Sequence, residues 1–199
     1  IITSLARIGG YPLAIVANQP SVQAGAITAE AADKAAHFID VCNAFHLPIV
    51  FLADNPGVMS GSSAEQAGTL RSAARMYAAQ SSIESPKLHV TIRKAFGFGS
   101  SVMGMNPFDQ QTLTLAFPGI TLGGIPALGG GIASGADEDM AEKLKLAEQS
   151  GAWSTGDTMA YDEIIDPREL RNRFIKALMM SLERLTQQPQ PLKRSGIRP

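Results

Sequence analysis

Three short runs that are typical of buried strands set the strongest limit on how this chain of 199 residues can fold. The runs are Pro12–Ala17, Pro48–Ala53 and Leu88–Ile92. Pro48–Ala53 is apolar throughout, which is typical of a strand that is covered on both faces, as in a parallel sheet. Because helical patterns lie between the runs, the sequence predicts an α/β fold with mostly parallel strand pairing.

Helices are predicted where apolar residues recur at a spacing of three or four. The clearest pattern covers 28–45, with Glu30 in the first turn. Asp166, followed by Pro167, marks the start of another helix that we expect to run to about Leu185. The other expected elements are a hairpin turning at Gly9-Gly10, helices over 63–79, 97–105 and 137–150, a strand over 112–117 and a glycine-rich loop over 119–135.

The composition excludes several classes of function. The formal net charge is −1, so there is no basic field to attract nucleic acid or an anionic membrane, and no apolar run could cross a bilayer. Cys42 is the single cysteine, which rules out an intramolecular disulfide and fits a reducing compartment. We therefore expect a cytoplasmic protein, or a protein of the mitochondrial matrix in a eukaryote. His37, His46 and His89 stand in no ligand spacing, and no metal site is expected.

Six segments of the chain, taken in order, allow a comparison with a known protein family. They are 10–20, 31–38, 40–45, 48–57, 87–104 and 162–168, and they include Asp54-Asn-Pro-Gly57 and Arg93-Lys-Ala-Phe-Gly97. In order and spacing, the series resembles the carboxyltransferase (beta) subunits of biotin-dependent acyl-CoA carboxylases, such as those acting on propionyl-CoA, acetyl-CoA or methylcrotonyl-CoA. The segments cover most of the chain, and the resemblance is to the C-terminal half of such a subunit.

The resemblance implies a crotonase/ClpP-like fold, a superhelix of ββα units, in a subunit with two such domains. In this family the N-terminal domain holds the acyl-CoA and the C-terminal domain holds biotin. We therefore expect residues 1–186 to form the biotin-side domain and residues 187–199 to form a loose tail. The chain starts at Ile1 rather than at a methionine, and we expect the acyl-CoA-side domain to lie outside it.

The partners are also implied by the resemblance. Biotin would arrive on a biotin carboxylase or biotin carboxyl carrier subunit, and an acyl-CoA would be the substrate. The active site of the family lies between the N-terminal domain of one subunit and the C-terminal domain of another, within a ring of dimers. By this likeness the subunits would form a homo-oligomer, with dimers as the building blocks of a hexamer.

The implied reaction moves a carboxyl group from the ureido nitrogen of biotin to the α-carbon of an acyl-CoA. Negative charge develops on the ureido oxygen and on the thioester oxygen, so the site needs fixed hydrogen-bond donors rather than a nucleophile or a metal. By the resemblance, the amides of Phe98 and Gly99 hold the biotin carbonyl, in a turn that Gly97 permits. Gly57 and Val58 would be wall residues, and possible donors, of the same cleft. The competing interpretation of residues 97–100 is a plain strand-to-helix turn.

Three features depart from the family pattern. Phe98 stands where the family usually has glycine, which keeps a backbone donor but adds a ring. Ser101 matches a position that helps to select acyl chain size, and its small side chain predicts room for a longer acyl group. The glutamate of the family's Met-Gly-x-Glu-Gly-Ala pattern is absent from 120–134, where glycines predominate.

Other functions stay open. The same fold could serve a biotin-dependent acyl-CoA decarboxylase, or a degenerate, non-catalytic crotonase-like module used in assembly. A hydratase or isomerase would need a positioned acid or base, and Asp109 is the nearest candidate to the Gly97 turn. Arg93 and Lys94, which end the third apolar run, are expected to form a structural salt bridge.

Overall fold

The computed structural model describes residues 1–106, 110–127 and 137–182. Its strands are β1 (Ile2–Ile8), β2 (Tyr11–Ala17), β3 (Ile49–Asn55), β4 (Lys87–Phe96), β5 (Leu113–Ala116), β6 (Thr121–Gly123) and β7 (Glu163–Ile164). Its α-helices are α1 (Ala29–Ala44), α2 (Ser62–Gln66), α3 (Thr69–Ser81), α4 (Gly97–Val102), α5 (Glu138–Gln149), α6 (Gly151–Gly156) and α7 (Leu170–Ser181). The expected tail, the last residues of the expected final helix and Asp109 lie outside the described residues.

The described strands form one sheet in the order β1-β2-β3-β4-β5-β7, with β6 paired to β4 off this path. β1 and β2 are antiparallel and form the predicted hairpin, whose turn residues Gly9 and Gly10 have φ values of 58° and 89°. The remaining pairings are parallel. The prediction of an α/β fold with mostly parallel strands is confirmed.

Helices cover both faces of the sheet. Side chains on both faces of β3 are therefore buried, which explains why its run is apolar throughout. Phe51 packs on one face with Ile39 of α1 and Met76 of α3. Val50, the preceding residue, packs on the opposite face with Phe174 of α7. Burying each large apolar side chain stabilises the fold by about 1.5–3 kcal/mol, so the three layers need no disulfide or metal to hold together.

The single helix predicted over 63–79 is wrong. α2 ends at Gln66, and Gly68 adopts a φ of 74° before α3 begins at Thr69. A left-handed residue cannot continue an α-helix, and glycine takes that conformation at little cost. The buried positions Ala73 and Met76 keep helical spacing within α3, which explains why the sequence pattern continues across the break.

β4 is longer than its apolar run, extending to Phe96 rather than Ile92. Its pairing with β3 shifts register between Ala53 and Asn55, as at a β-bulge, and beyond the shift it pairs with β6. The bulge leaves Ile92 partly exposed, which is why the apolar pattern stops there. The extension carries Gly97 to the edge of the sheet where β2 and β3 also end.

A strand-strand-helix order recurs along the chain. β1, β2 and α1 form one such group, while β5, β6 and α5 follow in the same order. β6 lies inside the stretch predicted as a glycine-rich loop, of which residues 128–135 are outside the described part. In residues 1–106, 110–127 and 137–182, no helix combines the length and apolarity that crossing a membrane requires.

Candidate functional site

The candidate site lies where three neighbouring parallel strands end at the same edge of the sheet. β2 ends just before Asn18, β3 ends at Asn55, and β4 ends just before Gly97. Binding sites of α/β folds form at this edge, because the loops that leave the strands open onto a common crevice. The structure thus brings Gly57, which follows β3, next to Gly99 in α4.

Two buried asparagine side chains join the ends of β2 and β3. Asn18 Oδ1 accepts hydrogen bonds from the Asp54 amide at 3.0 Å and from Asn55 Nδ2 at 3.2 Å. Asn55 Oδ1 in turn accepts from the Gly57 amide at 3.0 Å. Because a backbone amide can only donate, these contacts fix which atom of each side chain is oxygen. The network holds the turn after β3 in one conformation.

Gly99 packs against this turn with no room for a side chain. A Cβ atom on Gly99 would lie 2.7 Å from the Cα of Gly57 and would also collide with Asn55 Oδ1. A Cβ atom on Gly97 would lie 2.7 Å from the carbonyl oxygen of Gly124, and Gly97 has a φ of 52°. Glycine is therefore required at both positions for the loops to approach this closely.

The amides of Phe98 and Gly99 stand at the start of α4. They are its second and third residues, positions whose amides have no intrahelical acceptor. Phe96, the N-cap residue, provides no side-chain hydrogen bond. No acceptor for either amide is found among the described residues. Two adjacent donors at a helix start suit an oxygen atom that carries negative charge.

The ring of Phe98 packs against Tyr77 of α3. Its centroid lies 5.7 Å from that of Tyr77, with the two planes tilted by 38°, and the Phe98 side chain stays 37% exposed. A packed aromatic pair contributes about 0.5–1.5 kcal/mol beyond the area that it buries. The ring thus packs against its neighbouring helix, while the amide of the same residue keeps its place at the start of α4.

Gly57 lies beside Gly99, and Val58 follows it in the chain. The Gly57 amide is bound to Asn55, and the Gly57 carbonyl accepts from the Ile27 amide at 3.1 Å. Val58 forms a parallel bridge with Ile27 and packs on the core. The Gly57 amide is therefore already used within the fold, and the part of the prediction that made Gly57 a possible donor is wrong.

Two cationic side chains flank the site. Arg93 Nε donates to both carboxylate oxygens of Asp54, at 3.1 and 3.3 Å, which confirms the predicted structural salt bridge for Arg93. Lys94 Nζ donates to the Ala24 carbonyl at 3.2 Å. Because the Arg93 side chain is 58% exposed, its ion pair contributes at most about 1 kcal/mol.

An open, mostly apolar cavity of about 450 Å³ lies between β6 and α5. Gly124, whose carbonyl lies against Gly97, lines it together with Leu122, Ile125 and Leu144. Within the part of the chain that the structure describes, no group of three or more His, Cys, Asp or Glu side chains could hold a metal ion. The chemistry that the candidate site offers is backbone hydrogen bonding by the amides at the start of α4.

Comparison with known families gives this geometry a context. A model of the carboxyl transferase domain matches residues 1–124, more than half of the chain. The chain belongs to the carboxyl transferase domain family. The match includes β1 to β6 and each residue of the candidate site named above, with the exception of the cavity-lining residues beyond 124.

Relatives of this carboxyl transferase domain include carboxylases and decarboxylases. It is 49% identical over 118 residues to the uncharacterized carboxylase YngE of Bacillus subtilis, a match that covers 59% of this chain and 23% of the relative. It is 36% identical over 185 residues to the methylmalonyl-CoA decarboxylase subunit alpha of Veillonella parvula, covering 90% of this chain and 36% of that subunit. The chain thus spans less than two fifths of the length of these relatives.

A solved structure extends the likeness to nearly the whole chain. Transcarboxylase 12S, described as a hexamer and multienzyme core with hydrolyzed methylmalonyl-coenzyme A bound, matches with a TM-score of 0.85 and 32% identity. The match covers 99% of this chain and 38% of that one. The crotonase-like fold that the sequence predicted is confirmed.

Sequence reasoning assigned no role to Asn18 and Asn55, whose side chains hold the site together. A usable signal was present, since each asparagine stands at the carboxyl end of a buried apolar run and adjacent parallel strands end at one edge. Ser101 lies half-buried on α4, and its carbonyl accepts from Asn106 Nδ2 at 2.8 Å. Residues 128–134 of the stretch that lacks the family glutamate lie outside the described residues.

Proposed function

We propose that this carboxyl transferase domain forms the biotin side of an active site that moves a carboxyl group from carboxybiotin to the α-carbon of an acyl-CoA. The observation that carries the proposal is the pair of adjacent amides at Phe98 and Gly99, which have no acceptor among the described residues. Membership in the family and the hydrolyzed methylmalonyl-coenzyme A bound to the similar 12S structure support it.

Carboxybiotin, brought as a substrate on a partner subunit, supplies the carboxyl group from its ureido nitrogen. As the nitrogen–carbon bond breaks, its electrons spread onto the ureido oxygen, and the Phe98 and Gly99 amides donate to that oxygen. The α-carbon of the acyl-CoA bonds to the carboxyl carbon after losing its proton, which ends on the ureido nitrogen. The amides need not move during this step, because Gly99 is packed against Gly57.

Gly97, Gly57 and Val58 form the walls on the biotin side. Gly97 lets the chain turn into α4 at a φ of 52°, and Gly57 keeps the opposite wall flush with the backbone of Gly99. A flat wall of backbone suits a planar ureido ring, since side chains there would hold the ring away from the donors. We assign the donors for the thioester oxygen to an acyl-CoA-side domain.

The assembly that we propose follows from this half-site. A biotin carboxyl carrier or biotin carboxylase subunit would deliver the biotin, and a second copy of the subunit would present its acyl-CoA domain to this one. The similar 12S structure is described as a hexamer assembly, which supports a homo-oligomer, and we propose dimers as its building blocks. We place the enzyme in the cytoplasm, where the buried thiol of Cys42 stays reduced.

Ser101 is proposed to select acyl chain length. Its small side chain on α4 leaves space that a longer acyl group could occupy. In the complete subunit, Ser101→Ile should lower kcat/KM for long acyl-CoAs more than for acetyl-CoA. Unchanged relative values of kcat/KM across acyl lengths would refute this role.

The test of the proposed function is carboxyl transfer from carboxybiotin to a panel of acyl-CoAs of increasing length, using the complete subunit. We expect transfer to at least one member of the panel. Failure with every acyl-CoA would contradict the proposal and would favour the non-catalytic assembly module.

A decarboxylase is the second candidate, supported by the 36% identity to a methylmalonyl-CoA decarboxylase subunit. It would run the same exchange in reverse, from a carboxylated acyl-CoA to biotin, through the same amides. Copurification with a membrane-embedded sodium-pumping subunit would favour the decarboxylase. Net carboxylation in the presence of ATP, bicarbonate and a biotin carboxylase would favour the carboxylase.

A further inference from the structure

A chain of buried hydrogen bonds runs from Tyr161 to Gly99. The Tyr161 hydroxyl lies 2.9 Å from Thr91 Oγ1, which lies 2.8 Å from His89 Nε2. His89 Nδ1 lies 2.8 Å from the carbonyl oxygen of Met103, and the Met103 amide donates to the Gly99 carbonyl at 3.2 Å. Tyr161, Thr91, His89 and Met103 are all 5% exposed or less.

We call this chain of hydrogen bonds, from Tyr161 through Thr91 and His89 to Met103, the relay. In the relay, the chemistry of each group determines which atom donates and which accepts. The Met103 carbonyl can only accept, so His89 must carry its proton on Nδ1. Burial lowers the pKa of His89 to about 4, so the ring is neutral and Nε2 is an acceptor. Thr91 must then donate to His89, so the Thr91 hydroxyl can only accept from Tyr161, whose hydroxyl also lies 3.4 Å from a second acceptor, Met105 Sδ.

All the donors therefore point the same way, toward α4. Hydrogen bonds aligned head to tail strengthen one another in a buried setting, so the relay holds Met103 more firmly than one bond would. Met103 is the C-cap of α4, a helix of six residues. Its other end is fixed where Gly99 meets Gly57. With both ends held, α4 cannot turn about its start without breaking the relay.

We propose that Tyr161, Thr91 and His89 are positioning residues that keep the Phe98 and Gly99 amides aimed at the reacting oxygen. The inference rests on the proposed carboxyl transfer and adds to it three residues that touch no substrate. Because Tyr161 lies in the segment that follows α6, this segment also helps to position the two amides. Lys87, which is fully buried and donates to Gln80 at 3.2 Å, opposes protonation of His89 and so keeps the relay direction.

The test compares Thr91→Val, Thr91→Ser and Tyr161→Phe in the complete subunit. Valine keeps the shape of threonine but leaves Nε2 of His89 without a donor, and serine keeps the donor. We expect Thr91→Val and Tyr161→Phe to lower kcat about 10-fold or more, with KM for the acyl-CoA within about twofold, because misplaced donors weaken the transition state rather than binding. Thr91→Ser should retain most of kcat.

Thr114→Val is the matched control. Thr114 is equally buried and pairs beside His89 in the sheet, but its hydroxyl has no partner among the described residues. Its kcat should stay within about twofold of the parent value. Equal values of kcat in the parent, Thr91→Val and Tyr161→Phe would overturn the inference and leave the proposed function standing, whereas a parent subunit inactive with every acyl-CoA would contradict the function itself.

Nitrogen NMR provides a second measurement that does not depend on activity. In a ¹⁵N-histidine-labelled complete subunit, the His89 signals, assigned by their loss in His89→Gln, should be those of a neutral ring protonated on Nδ1. Thr91→Val should shift the Nε2 signal, because that nitrogen loses its donor. A ring protonated on Nε2 would overturn the relay.

Discussion

Gly99 and Gly57 meet backbone to backbone, so that a methyl group on Gly99 would lie 2.7 Å from the Gly57 Cα. The contact joins the start of α4 to the turn that leaves β3. Because β3 and β4 are neighbours in the sheet, the contact fixes the two walls of one crevice at their closest point. The orientation of the Phe98 and Gly99 amides is therefore a property of backbone packing.

Replacing Gly99 with alanine tests this packing. We expect Gly99→Ala to lower the free energy of unfolding by about 1–3 kcal/mol, because the added methyl group forces the backbone apart. Carboxyl transfer should fall by at least about 100-fold, since the donors shift with α4. Gly119→Ala is the control, because a Cβ atom there would meet nothing within 4 Å, and its stability and activity should match the parent. Equal urea midpoints and rates for the two variants would contradict the prediction.

We expect even a conservative replacement of Asn55 to lower the stability of the protein. An aspartate at this position could still accept from the Gly57 amide, but it could not donate to Asn18 Oδ1 and would bury a charge. We expect Asn55→Asp to cost about 2–4 kcal/mol in urea unfolding, and less below pH 4, where the new carboxyl is protonated and can donate. Loss of less than about 0.5 kcal/mol at neutral pH would show that the asparagine pair does not hold the turn.

Phe98 should be dispensable for the donor function. Phe98→Ala removes the ring that packs on Tyr77 but keeps the amide, so kcat for the best acyl-CoA should change by less than about threefold. Stability should fall by about 1 kcal/mol, because the lost aromatic pair is partly exposed. Steady-state kinetics and urea titration of the variant check both values. A loss of transfer comparable to that of Gly99→Ala would mean that the ring itself takes part.

The regular core could be predicted from sequence because its signals are local. The adjacent residues Phe51 and Val50 of β3 are both apolar because they are buried on opposite faces of the sheet. The first helix can be predicted from the spacing of its own apolar residues. The break at Gly68 was missed because the apolar spacing continues on both sides of it. α6 was missed because its sequence is a poor helix former, and it is held by burial of Ala152 in the core around Ile120.

The site was predicted in part, by a resemblance rather than by pattern. Of the residues that the resemblance named, the structure places Gly57 in contact with Gly99, two residues after Gly97. The side chains that fix them do not follow from local sequence, because Asn18 and Asn55 are 37 positions apart and Thr91 and Tyr161 are 70 apart. Such pairs become visible only when the strand order and register are known.

We expect the buried ring of His89 to make the free energy of unfolding depend on pH. Its pKa is lowered by burial to about 4, whereas the unfolded chain takes up the same proton near 6.5. Stability is therefore fully present above pH 6.5 and is lost as pH falls toward 4, by about 3 kcal/mol in total. We expect this loss to be smaller in His89→Gln than in the parent, by urea titration at several pH values. His37→Gln, at an exposed position, should keep the parent slope, and three equal slopes would contradict the prediction.

A crystal structure of the complete subunit with biotin bound tests the central claim most directly. We predict that the ureido oxygen will lie within about 3 Å of both the Phe98 and Gly99 amide nitrogens, with the ring against Gly57. Biotin bound elsewhere, or amides at residues 98 and 99 that donate to other protein groups in the assembled enzyme, would contradict the account.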